Sequence, residues 1–476
     1  MMTFARSLGH LCIWVMVCGT LKAQTGYRIE GHIAGLRPES YTLAHYFGAS
    51  QYITKDTAIA STDGKFVFEG NQPLPQGLYM ILTADKRRLL DLVVGPEQRF
   101  SFSSDTTDLI GKMQVNGSPD SRLYFQYQQQ IQGINSEIRV YQTQLQMREN
   151  PLLQTKIANL RQEIVKYYRK FMTENASSLT GKIMRAAADV EMPKPPLRPD
   201  GKPDSVWLFR YYRSHFWDTF DFSDERLVRA PALQRKLDTY LQNLTYPHVD
   251  SLIVASDEVI SRALAGGSKE MQAYCIWYLT HQAESPSLVG GEAVFVHLAE
   301  KYYLGGIMPI TDEVTVSGIR EKVNTLKPLL VGKPMPPLTL TDTLGISRSL
   351  SDLKNKYSLV FFYDPDCSHC RQVTPALKAF YDKNKTNYDL QIFAAAVTGA
   401  PDRWKKYIRD YGVGDWVHGY DYSFRINFRK DFDIVNTPVL YVLDEQKKII
   451  ARRLPVEQLE AFLDFHQQQQ KQKPKP

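Results

Sequence analysis

Cys367-Ser368-His369-Cys370 lies where an apolar run, Ser358 to Tyr363, gives way to an amphipathic helical pattern. A strand-to-helix turn at this point sets the first thiol at a helix N-terminus, where backbone N–H groups lack helical partners and the helix dipole favours negative charge. Thiolate chemistry is what such a placement supports. Two cysteines at i and i+3 can also close a small disulfide at a helix start, with one sulfur outward and the other shielded.

Downstream, Asn436-Thr437-Pro438 precedes a second apolar strand pattern, Val439 to Leu443, and Pro375 falls inside the helix after the cysteines. This order, strand, CxxC, helix, then Thr-Pro and strand, resembles the thioredoxin superfamily and within it the extracytoplasmic TlpA/ResA-like branch. The segment Gly332-Lys333-Pro334-Met335-Pro336-Pro337-Leu338-Thr339-Leu340, with Asp342 and Ser349-Leu350-Ser351-Asp352-Leu353, matches the opening stretch that TlpA-like proteins share with peroxiredoxins. The resemblance implies that Cys367 attacks, that Cys370 resolves, and that Pro438 is a cis-proline beside the sulfurs. Thr437 and Asp366 would then face the substrate. His369 between the cysteines is similar to the histidine of DsbA-like oxidants and is expected to stabilise the thiolate.

Two departures bear on the chemistry. Asp366 stands where the family commonly has Trp, and a carboxylate there is expected to raise the Cys367 pKa against His369. Val373 and Phe361 occupy the positions where relatives carry a buried acid, so the usual proton acceptor is missing.

Other uses of the pair fare worse. Structural zinc needs four ligands and no second pair is spaced for it. Haem attachment needs His directly after the second cysteine, and position 371 is Arg. A peroxiredoxin nucleophile follows a Pro-x-x-x-Thr-x-x-Cys pattern that Tyr363 to Cys367 lacks. A lone structural disulfide remains as an alternative. No metal and no cofactor beyond the Cys367/Cys370 disulfide is expected.

The N-terminus reads as a signal peptide over residues 1–23: Arg6 precedes the apolar Leu11 to Val17, and Leu21-Lys22-Ala23 is a cleavage site before Gln24. Lipidation at Cys18 is the alternative, although Val15-Met16-Val17 lacks the small residue lipoprotein processing prefers. Cleavage leaves Cys275, Cys367 and Cys370, too few for a disulfide framework. Cys275 sits in a largely apolar helical stretch and reads as an inert core thiol. No other apolar run approaches the ~20 residues that a bilayer crossing requires. The net charge of +7 is mild for 476 residues, and no dense basic face argues for nucleic acid.

The length exceeds what one core organises. Short alternating segments with turn signals at Asp63-Gly64 and Gly95-Pro96 predict an all-β, sandwich-like domain over residues 24–117. His32 and His45 stand alone there and read as structural. Ser118-Pro119 opens a helical pattern that fills an all-α middle domain, 118–327, interrupted by a proline-rich loop from Met192 to Asp204. The aromatic set Trp207, Phe209, Tyr211, Tyr212, Phe216 and Trp217 reads as helix-packing core. The β and helical domains resemble uncharacterised domains found before thioredoxin-like domains in Bacteroidetes proteins. A C-terminal α/β thioredoxin-like domain follows over 328–466, and residues 467–476 read as a disordered tail.

The chain is therefore expected to be an exported, periplasmic or cell-envelope thiol-disulfide oxidoreductase. Its partners would be protein thiols or disulfides of the envelope and a membrane-bound or periplasmic redox protein. The competing class is a non-enzymatic envelope scaffold with a structural or vestigial CxxC.

Overall fold

The computed structural model describes residues 26–472 apart from 148, 286, 287 and 399. The expected signal peptide and Cys18 lie outside the described residues. The described chain forms two compact units, one of residues up to 188 with 229–233, the other of 189–228 with 234 onward.

In the first unit eight strands form two sheets. One has the order β4 (Lys65–Gly70), β1 (Tyr27–Ala34), β7 (Arg99–Asp105), β8 (Gln114–Asn116), and the other β3 (Gln51–Ile59), β2 (Ser40–Phe47), β5 (Gly77–Leu82), β6 (Arg88–Val94). Alternation explains the packing: Tyr27, Ile29 and Ile33 of β1 are buried, while Glu30, His32 and Ala34 are exposed. The buried side chains of both sheets make one core around Phe66, Phe68, Tyr79 and Phe102. Gly31 lets the Phe66 ring lie on the strand, since a Cβ there would meet it at 2.3 Å. Helices α1 (Pro119–Met147), α2 (Pro151–Glu174) and α3 (Leu179–Ala187) complete this unit. The Ser118 hydroxyl accepts from the Ser121 N–H at 3.2 Å, the capping bond its position before Pro119 suggests.

The second unit begins with helices α4 (Ser205–His215), α5 (Pro231–Asn243, its first turn counted with the first unit), α6 (Val249–Gly266), α7 (Lys269–Gln282), α8 (Glu292–Leu298, prolonged by a π turn, Ala299–Leu304) and α9 (Glu313–Leu326). Helix α9 is absent from the sequence reading. Its signals are an Asp312 cap, whose carboxylate accepts from the Thr315 N–H at 2.7 Å, and the buried Val323 and Leu326 three residues apart. The aromatic set divides: Phe216 and Trp217 are core, but Phe209 is exposed.

The rest of the unit is a seven-stranded mixed sheet flanked by helices. It comprises β9 (Thr339–Thr341), β10 (Ser347–Ser349), β11 (Tyr357–Tyr363), α10 (Ser368–Tyr388), β12 (Leu390–Ala396), α11 (Pro401–Asp410), β13 (Val417–Tyr420), α12 (Phe428–Phe432), β14 (Val439–Leu443), β15 (Ile449–Arg452) and α13 (Leu459–Gln472). The strand order is β10-β9-β13-β12-β11-β14-β15, with β11 parallel to β12 and antiparallel to β14. Every residue of β11 is buried because its two faces feed two cores: Leu359, Phe361 and Tyr363 join one, Val360 and Phe362 the other. Burying such side chains contributes about 1.5–3 kcal/mol each, which pins the strand that delivers Cys367. Strand β13 carries only a weak strand signal in the sequence, because Gly419 breaks its apolar pattern. That glycine lets Leu340 of β9 approach, where a Cβ would lie 2.4 Å away.

One terminal expectation is corrected. Helix α13 runs through Gln472, so residues 467–472 are helical rather than a disordered tail. Buried Leu459 and Leu463 anchor the helix, and glutamine and lysine extend it at little cost. Residues 473–476 lie outside the described residues. No described helix is long and apolar enough to cross a membrane.

Candidate redox site

Asp364 shapes the turn that ends β11. Its carboxylate accepts from the Asp366 N–H at 2.8 Å and from the Thr398 hydroxyl at 2.6 Å, and its carbonyl accepts from the Cys367 N–H at 3.1 Å. Cys367 is thereby the N-cap of α10, with extended φ −72° and ψ 122°, and its carbonyl accepts the first helical bond from Arg371 at 3.2 Å. Asp364, which sequence reasoning passed over, thus sets where the helix starts. Pro375 lies inside that helix, one turn beyond Cys370.

The Cys367–Cys370 pair is in the free thiol form. Cys367 is partly exposed and Cys370 fully buried. The Cys367 thiol donates to the Thr437 carbonyl at 3.3 Å, and the Thr437–Pro438 peptide bond is cis. Residues seventy positions apart in the chain therefore meet at one sulfur. Burial alone would raise the Cys367 pKa. It is outweighed by the donors around the sulfur, the Cys370 N–H first, then the Thr437 side chain, the Cys370 thiol and the His369 N–H, which favour the thiolate and together hold the thiol below its ordinary value. Cys370 moves the other way: burial pushes it up to about 12, and the neighbouring Cys367 adds to the rise. Cys275 is buried in α7 away from any polar influence, and its thiol is likewise pushed up to about 12 by burial.

His369 and Asp366 behave differently from the sequence expectation. The His369 side chain is exposed, and what the residue gives the thiolate is its backbone N–H. The Asp366 carboxylate is held by Arg403 at 2.7 Å, with Arg371 at 4.0 Å, so its charge is balanced and the groups that govern the Cys367 ionisation lie elsewhere. Arg403, at the start of α11, could not be assigned from local sequence. These contacts predict that His369→Gln leaves the Cys367 pKa nearly unchanged. His369→Pro, tolerated in a first helical turn, removes the N–H and should raise that pKa, because the thiolate loses a donor. Thiolate absorbance at 240 nm against pH measures both.

Behind the pair, the Tyr407 hydroxyl donates to the Cys370 carbonyl at 3.2 Å and accepts from Thr374 at 2.5 Å. Val373 and Phe361 pack in the core cluster that includes Cys370, so no carboxylate occupies the acceptor positions. Among the described residues no group of three His, Cys, Asp or Glu side chains is arranged to hold a metal ion.

Beside the pair, His369, Thr437 and Pro438 line a cleft of about 1040 Å³. One side is formed by His369, Val373, Thr437, Pro438 and the β14–β15 hairpin, the other by Glu284, Leu288, Val289, Lys322 and Leu326 from the segment after α7 and from α9. Three of its charged groups form a buried chain: Arg452 bonds Asp433 at 2.6 Å and pairs with Glu292 at 3.4 Å. None of these cleft residues outside the thioredoxin-like motif was visible as functional in the sequence.

Comparison with known proteins agrees with the two architectures. Residues 355–449 match a family described as thioredoxin-like, residues 27–124 match a domain of unknown function (DUF4369), and residues 172–324 match another (DUF5106). The chain is 30% identical over 124 residues to the thioredoxin-like protein YneN of Bacillus subtilis, an alignment covering 24% of this chain and 66% of that protein. Among solved structures, a domain of a possible thiol-disulfide isomerase from Cytophaga hutchinsonii is 41% identical, covering 31% of this chain and 99% of that chain, with a TM-score of 0.30. A thioredoxin-like protein from Bacteroides caccae is 19% identical, covering 59% of this chain and 100% of that chain, with a TM-score of 0.47. The C-terminal domain of this chain is thus a thioredoxin-superfamily domain carrying a CxxC pair, preceded by segments that match two domain families of unknown function.

Proposed function

We propose that this chain is an exported thiol-disulfide oxidoreductase of the TlpA/ResA-like kind, acting on envelope proteins through Cys367 and Cys370. The observation that carries this reading is the geometry of two free thiols one helical turn apart, the outer one partly exposed at the helix start and bonded to Thr437, the inner one buried, a placement that shifts their ionisation in opposite directions. In the reducing direction the Cys367 thiolate attacks one sulfur of a substrate disulfide. A mixed disulfide forms and a substrate thiolate leaves, taking a proton from Cys370 or water. Consuming the Cys367 thiolate removes the charge that adds to the rise burial imposes on Cys370. Cys370 then attacks the Cys367 sulfur, forming the Cys367–Cys370 disulfide and releasing the second substrate thiol, which is protonated by water. The two electrons gained by the substrate are those lost by the dithiol. Thr437 and Pro438 face the substrate, with Asp366 and His369 at the rim.

Insulin reduction with dithiothreitol as regenerating reductant tests this. The wild-type protein is expected to accelerate insulin precipitation and Cys367→Ser to fall to the uncatalysed rate. A wild-type rate equal to the dithiothreitol background would instead favour the scaffold reading.

A further inference from the structure

The cleft beside the cysteines has a wall that a thioredoxin-like domain alone would not possess. Leu288 and Val289, which follow α7, and Lys322 and Leu326 of α9 line the cleft with the CxxC side, and Val289, like Cys367 and Val373, packs against the core cluster that includes Cys370. The charges in this cleft are largely spent on one another. Lys322 pairs with Glu284 at 3.6 Å, Arg452 with Glu292 and Asp433, and Arg453 with Asp433 at 2.9 Å. Among the described residues only Glu457 and His369 line it without an ionic partner. What remains for recognition is the apolar set Leu288, Val289, Val373, Val435 and Pro438, interspersed with the uncharged polar side chains of Ser285, Gln372, Asn436 and Gln458. Beside it, the backbone N–H groups of Val435, Asn436 and Thr437 find no backbone acceptor among the described residues. Donors without a backbone acceptor in an extended segment suit a second extended chain.

We propose that the helical wall is a specificity element, which selects an extended segment of a partner protein whose cysteine is flanked by apolar residues. The proposal rests on the reading of Cys367/Cys370 as the redox pair. A charged flanking residue would enter a cleft whose countercharges are already paired, and would lose its hydration without recovering an ionic contact. An apolar one gains burial.

The test uses the full reduced chain and three peptides that differ only in the residues flanking one cysteine, Leu, Glu or Lys, each joined to thionitrobenzoate. Attack on the peptide sulfur forms the peptide–Cys367 disulfide and releases thionitrobenzoate, read at 412 nm in a single turnover. The Leu-flanked peptide should react about tenfold or more faster than either charged one, the lower end of what one apolar side chain discriminates. Val435→Lys, at an exposed position on the CxxC side, and Leu288→Lys, on the helical wall, should each reduce that ratio and shift preference toward the Glu-flanked peptide. If Leu288→Lys does not fold, Ser285→Lys, exposed on the same wall, replaces it. Equal rates for the three peptides, or a ratio that responds to Val435→Lys but not to the wall substitution, would overturn the proposal while leaving the redox reading intact. Release that is slow in the wild type and undiminished in Cys367→Ser would overturn both.

Discussion

Iodoacetamide at pH 7 is expected to label Cys367 at least about a hundredfold faster than Cys370 or Cys275 in the folded, reduced protein. The inner thiols stand near 12, whereas Cys367 lies below its ordinary 9.0. The Cys367 thiolate is therefore far more populated than the other two, and the lower nucleophilicity of the more acidic thiolate offsets only part of that advantage. Burial of Cys370 and Cys275 restores the difference, because the reagent reaches them only when the structure opens. The sign with pH follows from the same shift. The Cys367 thiolate is lost as pH falls through its depressed pKa, so labelling slows toward acid and levels off before the plateau of an unfolded thiol. Mass spectrometry of quenched samples reads all three sites. Comparable rates at the three cysteines in the folded state would remove the basis for assigning attack to Cys367.

Arg452→Met is expected to destabilise the second unit by about 3 kcal/mol, the lower part of the range for breaking a buried ion pair. The Arg452 side chain is 1% exposed, bonds Asp433, pairs with the buried Glu292 and lies over the Tyr441 ring at 5.4 Å. Methionine fills much of the volume but leaves Glu292 buried without a countercharge. Arg453 keeps Asp433 paired at 2.9 Å, which places the loss at the low end. Adding Glu292→Met should recover most of the stability, since the pair is then replaced by apolar contact rather than broken. Urea unfolding of the single and double variants measures the coupling. A single-variant loss under about 0.5 kcal/mol, the level of an ordinary surface substitution, would show that the pair is solvated.

Much of the fold was legible because its signals are local. A continuous apolar run marks β11, Ser118-Pro119 marks the start of α1, and three- and four-residue spacing of Ile157, Leu160, Ile164 and Phe171 marks α2. Where the local signal was weak the reading failed: β13 is short and holds a glycine, and α9 is largely exposed, with Val314 83% accessible. The glutamine-rich end of α13 looked like a tail because low complexity describes composition, whereas continuation depends on the buried turn before it.

By itself the sequence determined the order strand, CxxC, helix, Thr-Pro and strand, and hence that Cys367 stands at a helix N-terminus. These follow from backbone sterics and hydrogen bonding between residues a few positions apart. Only the tertiary structure decided how the thiols ionise and what the cleft contains. Thr437 reaches Cys367 across seventy residues, Arg403 balances Asp366 across thirty-seven, and α9 brings Lys322 and Leu326 to the cleft edge. Electrostatic shifts and surface shape depend on which groups lie within a few ångströms, and distance along the chain does not encode that.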